Sequence, residues 1–198
     1  GSVLAEEVIS PLDIPAHTNS AMDGYAARAD DVRGAAPHSP RRLRVIESIP
    51  AGRFPAKRIG PGECARIFTG APLPPGADSV IRQEDTDLGM EVVAIRKDRD
   101  VGVNFRLAGE DIPAGNVALE TGTELGPAQL GVLASLAVSH PVVYRRPRVA
   151  ILATGDEIVD LDRPDEILSG RKIASSNTHT LLALIQQAGG EPVNLGIA

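Results

Sequence analysis

The chain has 198 residues, 42% of them hydrophobic, which is enough for one large domain or two small ones with a core. Aromatic residues make up 3% and there is no Trp, so we expect an aliphatic core. The 26 acidic and 20 basic residues give a net charge of -6, which argues against nucleic acid as the main partner.

The cysteine content and the lack of long apolar segments indicate the compartment. Cys64 is the one cysteine, which excludes an internal disulfide. The sequence shows no signal-peptide pattern and no long apolar span, so we expect a cytoplasmic protein that does not bind a membrane. Cys64 lies in an apolar run, which favours a buried thiol over a reactive one.

The first candidate site lies in NSAMDGYA, residues 19–26. Its Asn, Ser, Asp and Gly residues favour a tight loop, and Gly24 is expected to let the backbone turn directly after the carboxylate of Asp23. Judged by residue type alone, Asp23 fits a turn or cap position better than a ligand position.

Between about residues 40 and 100 the pattern predicts a small all-β module. Four short apolar runs are separated by turns rich in Gly and Pro. They cover residues 43–49, 63–69, 78–84 and 90–97. The second run ends at Thr69, so that a hydroxyl and the flexible Gly70 lie at the end of the predicted strand. Taken alone, this is an ordinary turn.

Arg106 precedes the carboxylate of Asp111 by five residues. Arginine binds two oxygens of an oxyanion at once, so the pair suits an anion held beside a metal. A surface ion pair fits the same spacing equally well.

After the β module the sequence predicts two helices, a short strand over residues 142–144 and two further strands. Gly126-Pro127 starts a helix with a buried stripe at Leu130, Leu133, Leu136 and Ala137. The run Arg148 to Ala153 is apolar without alternation, which predicts a strand buried on both faces of a parallel sheet. A second helix, with Leu181, Leu182, Leu184, Ile185 and Ala188 on one face, leads to a strand over residues 192–197.

The last three predicted elements are a strand, a helix and a strand. We expect them to form one right-handed unit in which the two strands are parallel. Ligands bind at the carboxyl ends of such strands, where Thr154-Gly155-Asp156-Glu157 follows the first strand. One helix cannot cover both faces of a buried sheet, so we expect an incomplete domain of a longer protein. We place the boundary near Pro147, giving regions 1–146 and 147–198. The predicted fold class is mixed α/β: a β-rich N-terminal module and the start of a parallel-sheet domain.

The chain lacks the usual reactive motifs, namely the GxxxxGK[ST] phosphate loop, GxGxxG, GxSxG and HExxH. Its four histidines have no metal-ligand spacing, which argues against zinc. Acids, hydroxyls and one arginine remain on loops at strand ends. Hard oxygen ligands of this kind suit Mg²⁺ beside a phosphate-bearing ligand.

Four segments resemble the MoeA family of molybdopterin molybdenumtransferases, which includes the gephyrin E domain. They are NSAMDGYA (19–26), RIFTGAPLPPGAD (66–78), VNFRLAGEDI (103–112) and RVAILATGDEIV (148–159). Residues 175–197 also resemble the molybdopterin-binding α/β domain that MoeA shares with MogA and CinA proteins. The resemblance covers nearly the whole chain, as an N-terminal and central fragment of the family.

The resemblance implies an enzyme of molybdenum cofactor biosynthesis that inserts molybdate into adenylated molybdopterin and releases AMP, with Mg²⁺ as cofactor. By position in the motifs, Asp23, Thr69, Asp111 and Glu157 are expected to be catalytic. The substrates are expected to contact Arg106, Thr154 and Gly155. Asp156 and Glu157 are expected to hold the metal.

The resemblance also implies a homodimer whose site is shared between subunits, and a MogA-type adenylyltransferase as a possible partner. The family's later glycine-rich segment and C-terminal β domain are missing, so we expect no activity from this chain alone. Ser175 stands where many members have Asp. Two other functions stay open: a scaffold on the same fold, as in gephyrin, and a CinA-like pterin- or nucleotide-binding protein.

Overall fold

The computed structural model describes residues 1–198 and shows a mixed α/β fold with four helices. The strands are β1 (Val8–Ile9), β2 (Asn19–Ser20), β3 (Gly24–Ala27), β4 (Arg41–Ile49), β5 (Glu63–Ile67), β6 (Ser79–Arg82), β7 (Val92–Ile95), β8 (Phe105–Arg106), β9 (Val117–Leu119), β10 (Arg148–Ala153), β11 (Ile158–Val159), β12 (Ile173–Ala174) and β13 (Glu191–Ile197). The helices are α1 (Ala29–Val32), α2 (Pro127–Ser135), α3 (Pro164–Leu168) and α4 (Ser176–Gln187).

The chain forms two compact units. The sheet unit is Ile9–Ala118, and the discontinuous unit combines Gly1–Val8 with Leu119–Ala198. This grouping reflects spatial proximity within the chain. The domain boundary predicted near Pro147 stays a prediction.

The sheet unit is built on five strands in the order β6-β3-β5-β4-β7. The β4–β5 pair is parallel and the other pairs are antiparallel. All four apolar runs predicted between residues 40 and 100 are strands of this sheet. Both faces bury apolar side chains, with Tyr25, Leu43 and Ile81 in one cluster and Ile49 and Ile67 in the other. The aliphatic core predicted from composition is therefore confirmed for this unit.

Cys64 lies fully buried within β5. Burial raises the pKa of its thiol to about 12, so the group stays protonated at neutral pH. The prediction of a buried rather than a reactive thiol is confirmed.

The fifth strand, β3, was predicted as a loop, and the role assigned to Gly24 was wrong. Gly24 is the first residue of β3 and pairs with Ile67 on one side and Arg82 on the other. A Cβ atom at this position would lie 2.0 Å from the carbonyl oxygen of Ile81. Glycine is therefore required for the close approach of β3 and β6, and not for a turn.

Both edges of the sheet are covered by the chain itself. Along β6, the carbonyl of Val80 accepts a hydrogen bond from the Asn104 amide, and the N–H of Arg82 donates to the Asp100 carboxylate. Along β7, the N–H of Ala94 donates to Asp87 Oδ1. These contacts satisfy backbone groups that an open edge would expose to pairing with other chains.

In the discontinuous unit, α2 covers most of the helix predicted from Gly126. Leu133 and Leu136 are buried as expected, but Leu130 is 56% exposed, so that part of the predicted stripe is wrong. The helix ends at Ser135, which leaves Ala137 outside it with a positive φ of 57°.

The predicted strand-helix-strand unit is present as β10, α4 and β13. The two strands pair in parallel, with Arg148 opposite Glu191 and Ile151 opposite Asn194. They form a sheet of two strands, so membership in a larger parallel sheet stays a prediction. On α4, Leu182 and Ile185 are half-buried, whereas Leu181 and Leu184 of the predicted stripe are exposed. None of the helices has the length and apolar character needed to cross a membrane.

Candidate functional site

Asp23 and Thr69 meet at one end of the β3–β5 pair. Asp23 directly precedes β3, and Thr69 follows β5 after one residue. Because Gly24 lies opposite Ile67 in this antiparallel pair, the start of β3 and the end of β5 lie side by side. The N–H and the hydroxyl of Thr69 both donate to Oδ1 of Asp23, each at 2.8 Å. The structure thus brings together two residues that are 46 positions apart.

These contacts keep the Asp23 carboxylate ionised. The backbone N–H of Thr69 has the largest effect in lowering its pKa below the usual value, followed by the Thr69 hydroxyl and, more weakly, the charge of Arg66. Both hydrogen bonds end on Oδ1, and Oδ2 accepts none within the sheet unit. Asp23 therefore offers a fixed, charged acceptor to a ligand.

A cavity of about 470 Å³ opens beside this pair. Its lining combines the pair with residues from the loops around it: Ala21, Met22, Asp23, Thr69, Arg82, Gln83, Glu84 and Arg99. Arg82 and Arg99 were missed by sequence reasoning. They belong to none of the four motifs, and only the fold places them at the cavity.

Two buried carboxylates hold these arginines. Asp100 accepts two hydrogen bonds from the Arg82 guanidinium, at 2.8 and 2.9 Å. Asp85 accepts from Arg99 at 2.6 Å and from Lys97 at 3.1 Å. Burial alone would raise the pKa of each acid, but the hydrogen bonds from the basic side chains outweigh it and lower both pKa values. The cavity wall is therefore fixed by ion pairs in which the carboxylate is buried and the basic side chain is partly exposed.

Arg106 and Asp111 do come together, but not at the Asp23 cavity. Strand β8 pairs with β2, which places Arg106 opposite Asn19. The Arg106 guanidinium donates to Glu110 and to Asp111, each at 2.5 Å. All three side chains are partly exposed, so the structure shows the surface ion pair that the spacing allowed. The sequence prediction did not include Glu110.

The Thr154 to Glu157 turn follows β10 directly, as predicted. Gly155 has φ +139°, and a Cβ atom there would lie 2.6 Å from Oε2 of Glu157. Glycine thus allows the Glu157 side chain to fold back over the turn. Ile173 donates its N–H to the carbonyl of Glu157 at 2.9 Å, and Lys172 Nζ donates to the carbonyl of Asp156.

A second cavity of about 370 Å³ lies at the carboxyl end of β10, where the first turn of α4 begins. Thr154 and Glu157 line it, whereas Asp156 does not. The other polar lining residues are Ser175, Ser176, Asn177 and Thr178. Ser175 and Thr178 are buried and share a hydrogen bond of 2.7 Å. None of these four residues was among the predicted site residues.

The donor atoms at this turn can be compared with what Mg²⁺ requires. No group of three or more His, Cys, Asp or Glu side chains is placed to hold a metal ion. Mg²⁺ commonly takes one or two carboxylates and completes its shell with water and phosphate oxygens. Glu157 supplies one such carboxylate at the cavity, and a phosphate-bearing ligand would complete the shell.

The fold is that of MoeA proteins of molybdopterin biosynthesis. The solved structure of the molybdopterin biosynthesis MoeA protein from Pyrococcus horikoshii matches with a TM-score of 0.91 and 33% identity. The match covers 100% of this chain and 52% of that one. A family model, "MoeA N-terminal region (domain I and II)", matches residues 1–137. The chain therefore belongs to the MoeA family.

Curated relatives carry an enzyme name. The molybdopterin molybdenumtransferase of Nostoc sp. is 44% identical over 197 residues, which are 100% of this chain and 44% of that protein. The molybdopterin molybdenumtransferase 2 of Mycobacterium tuberculosis is 42% identical over 193 residues, or 98% of this chain and 47% of that protein. The chain thus spans about half the length of the curated relatives it matches.

Proposed function

We propose that this chain works in molybdenum cofactor biosynthesis as part of a molybdopterin molybdenumtransferase. The proposed reaction is Mg²⁺-dependent insertion of molybdate into adenylated molybdopterin, with cleavage of the phosphoanhydride and release of AMP. The observation that carries the proposal is the Asp23–Thr69 pair at an open cavity, in a chain whose relatives bear that enzyme name.

For Asp23 we propose a binding role and not that of a proton acceptor. Its pKa is lowered by the Thr69 N–H and hydroxyl, which makes the carboxylate a weak base. The free Oδ2 can instead accept a hydrogen bond from a substrate N–H or O–H. Thr69 fixes the orientation of that acceptor before the substrate arrives.

The Thr154 to Glu157 turn is the proposed place for Mg²⁺, which when bound would neutralise charge on phosphate oxygens. Glu157 would hold it from the cavity wall, with Asp156 beside it. Thr154 and the backbone of Gly155 would contact the same ligand. The support is the position of Thr154 and Glu157 in one cavity at a strand end.

Arg106 is proposed to attract molybdate. In the structure its guanidinium donates to an oxygen of each of two carboxylates, so it already binds anionic oxygens. Asp111 is proposed to hold Arg106 until the substrate takes its place. These roles require the ion pair to open on binding.

The assembly is also a proposal. We expect a homodimer in which the site is shared between subunits, in the cytoplasm, with a MogA-type adenylyltransferase supplying adenylated molybdopterin. Because the chain spans about half of its relatives, we expect it to be inactive by itself.

The test uses the full-length parent protein and measures AMP release from adenylated molybdopterin in the presence of molybdate. Asp23→Asn should lower the rate about tenfold or more, because one charged hydrogen bond to the substrate is lost. Asp30→Asn, which changes an exposed acid on α1, is the matched control. A parent protein that releases no AMP, or an Asp23→Asn variant as fast as the control, would contradict the proposal.

The metal assignment has its own test. Calorimetric titration of the parent with Mg²⁺ should show weaker binding after Glu157→Gln than after Asp156→Asn, because only Glu157 lines the cavity. Equal affinities in the parent and in Glu157→Gln would remove the metal role from this turn.

A further inference from the structure

Arg66 contacts three separate segments next to the Asp23–Thr69 pair. It lies on β5 directly opposite Tyr25 of β3. One guanidinium nitrogen donates to the carbonyl of Gly24 at 3.2 Å, and another donates to Oε1 of Gln83 at 2.5 Å. The guanidinium carbon also lies 5.0 Å from the ring centroid of Tyr25 and 4.9 Å from that of Phe68.

Three of these contacts involve residues that adjoin Asp23 or Thr69 in the chain or bond to one of them. Gly24 follows Asp23 in the chain, and Phe68 precedes Thr69. Gln83 donates its backbone N–H to the carbonyl oxygen of Asp23 at 3.1 Å. A single side chain thus connects the segments on both sides of the pair.

We propose that Arg66 is a positioning residue that holds Asp23 and Thr69 in hydrogen-bond contact at their cavity. Arginine suits this role because its planar group donates in fixed directions from its edge while its faces stack on aromatic rings. Lysine carries the same charge but neither the fork nor the flat face. Arg66 itself does not line the cavity, so it acts through the pair.

The alternative is that Arg66 contributes only its positive charge, which lowers the pKa of Asp23 through space. Arg66→Lys separates the two explanations because it keeps the charge. If Arg66 positions the pair, this variant loosens the Thr69 hydrogen bonds and raises the pKa of Asp23. If only charge matters, the pKa of Asp23 stays where it is.

The experiment is a pH titration of the Asp23 carboxyl carbon by NMR in the 198-residue chain. We expect the pKa of Asp23 to rise in Arg66→Lys, and to rise in Thr69→Val, which removes the hydroxyl bond directly. The double variant should shift the pKa by less than the sum of the two, because both changes act on one contact. An unchanged pKa in Arg66→Lys, or fully additive shifts, would overturn the proposal.

Two further variants keep the test decisive. Gln83→Met preserves the side-chain length but removes one of the Arg66 hydrogen bonds, so it should shift the pKa of Asp23 upward by a smaller amount in a folded protein. Arg44→Lys is the control: Arg44 lies on the neighbouring strand β4 and pairs with Glu63. It should leave the pKa of Asp23 unchanged, and a Gln83→Met variant that behaves like this control counts against positioning.

The consequence for activity rests on the proposed function. In the full-length parent, Arg66→Lys should reduce AMP release in proportion to the shift measured for Asp23, while Arg44→Lys should not. A shifted pKa with undiminished AMP release would contradict the role of Asp23 in the reaction. An unshifted pKa would contradict positioning, so the two failures are distinguishable.

Discussion

The sheet unit and the β10–α4–β13 segment differ in how much apolar surface they bury. In the sheet unit, Ile67 and Val80 are fully buried on a sheet whose edges are covered. In the segment, Leu152 of β10 is 54% exposed and Leu195 of β13 is 58% exposed. Since apolar burial supplies most of the folding free energy, stability in this chain is concentrated in the sheet unit.

The same difference separates the two candidate sites. Asp23 and Thr69 are held by strands paired on both sides and by the Arg66 contacts. The Thr154 to Glu157 turn follows a sheet of only two strands. The first site is therefore preorganised by its core, whereas the second depends on a segment with little buried surface.

The largest expected effect comes from Gly24→Ala. The added methyl group would meet the carbonyl oxygen of Ile81, which is backbone and cannot move without opening the β3–β6 pair. We expect the free energy of unfolding to fall by about 3 kcal/mol or more, measured by urea denaturation. Gly131→Ala within α2, where a Cβ meets nothing within 4 Å, should instead gain up to about 1 kcal/mol. Equal effects at both positions would show that β3 and β6 are not closely packed.

Asp100→Asn tests the buried ion pair behind the Asp23 cavity. The substitution removes the nearer charged partner of Arg82 and leaves it Asp85 at 3.9 Å, and a broken buried pair costs about 3–5 kcal/mol. Arg82 is 30% exposed, so water compensates in part and we expect a loss of about 2–3 kcal/mol. The exposed Asp30→Asn should change the unfolding free energy by less than about 0.5 kcal/mol. An Asp100→Asn protein as stable as this control would remove the structural role of the pair.

The pH dependence of stability should follow the carboxylates of the sheet unit. The pKa values of Asp85, Asp87 and Asp100 are lowered in the folded state, with the Ala94 N–H as the largest cause for Asp87. Acids of this kind stabilise the fold above their unfolded pKa of about 3.9 and lose that contribution as the pH falls through their folded pKa values. We expect the urea midpoint of the sheet unit to hold from pH 7 to about 5 and to fall below about pH 4, less steeply in Asp100→Asn. A midpoint that rises on acidification would contradict this assignment.

The sequence predicted the strands of the sheet unit where apolar runs stand between Gly- and Pro-rich turns, but it missed β3. Strand β3 has only four residues, Gly24-Tyr25-Ala26-Ala27, and three of them are Gly or Ala, which is too little to give a strand pattern. The need for Gly24 arises from the neighbouring strand, which no local pattern reveals. Strand β3 therefore forms because it pairs with β5 and β6, which are distant from it in the sequence.

The same limit applies to the candidate site. Asp23 and Thr69 were found because each lies in a recognisable motif. Arg82 and Arg99 were missed because they lie outside those motifs and reach the cavity only through the β3–β6 pair and the loop after β7. The motifs therefore identified Asp23 and Thr69, whereas the arginines that line the cavity could be found only from the fold.

The smallest effect on stability is expected in the β10–α4–β13 segment. Leu152→Gln should lower the unfolding free energy by less than about 0.5 kcal/mol, because more than half of that side chain already contacts water. Leu43→Gln, on the buried face of β4, is the matched change and should cost about 3 kcal/mol, since it places an amide in the core. Urea denaturation of both variants gives the comparison. If Leu152→Gln cost as much as Leu43→Gln, the apolar face of β10 would be covered in solution. The two regions would then not differ in the apolar surface that they bury.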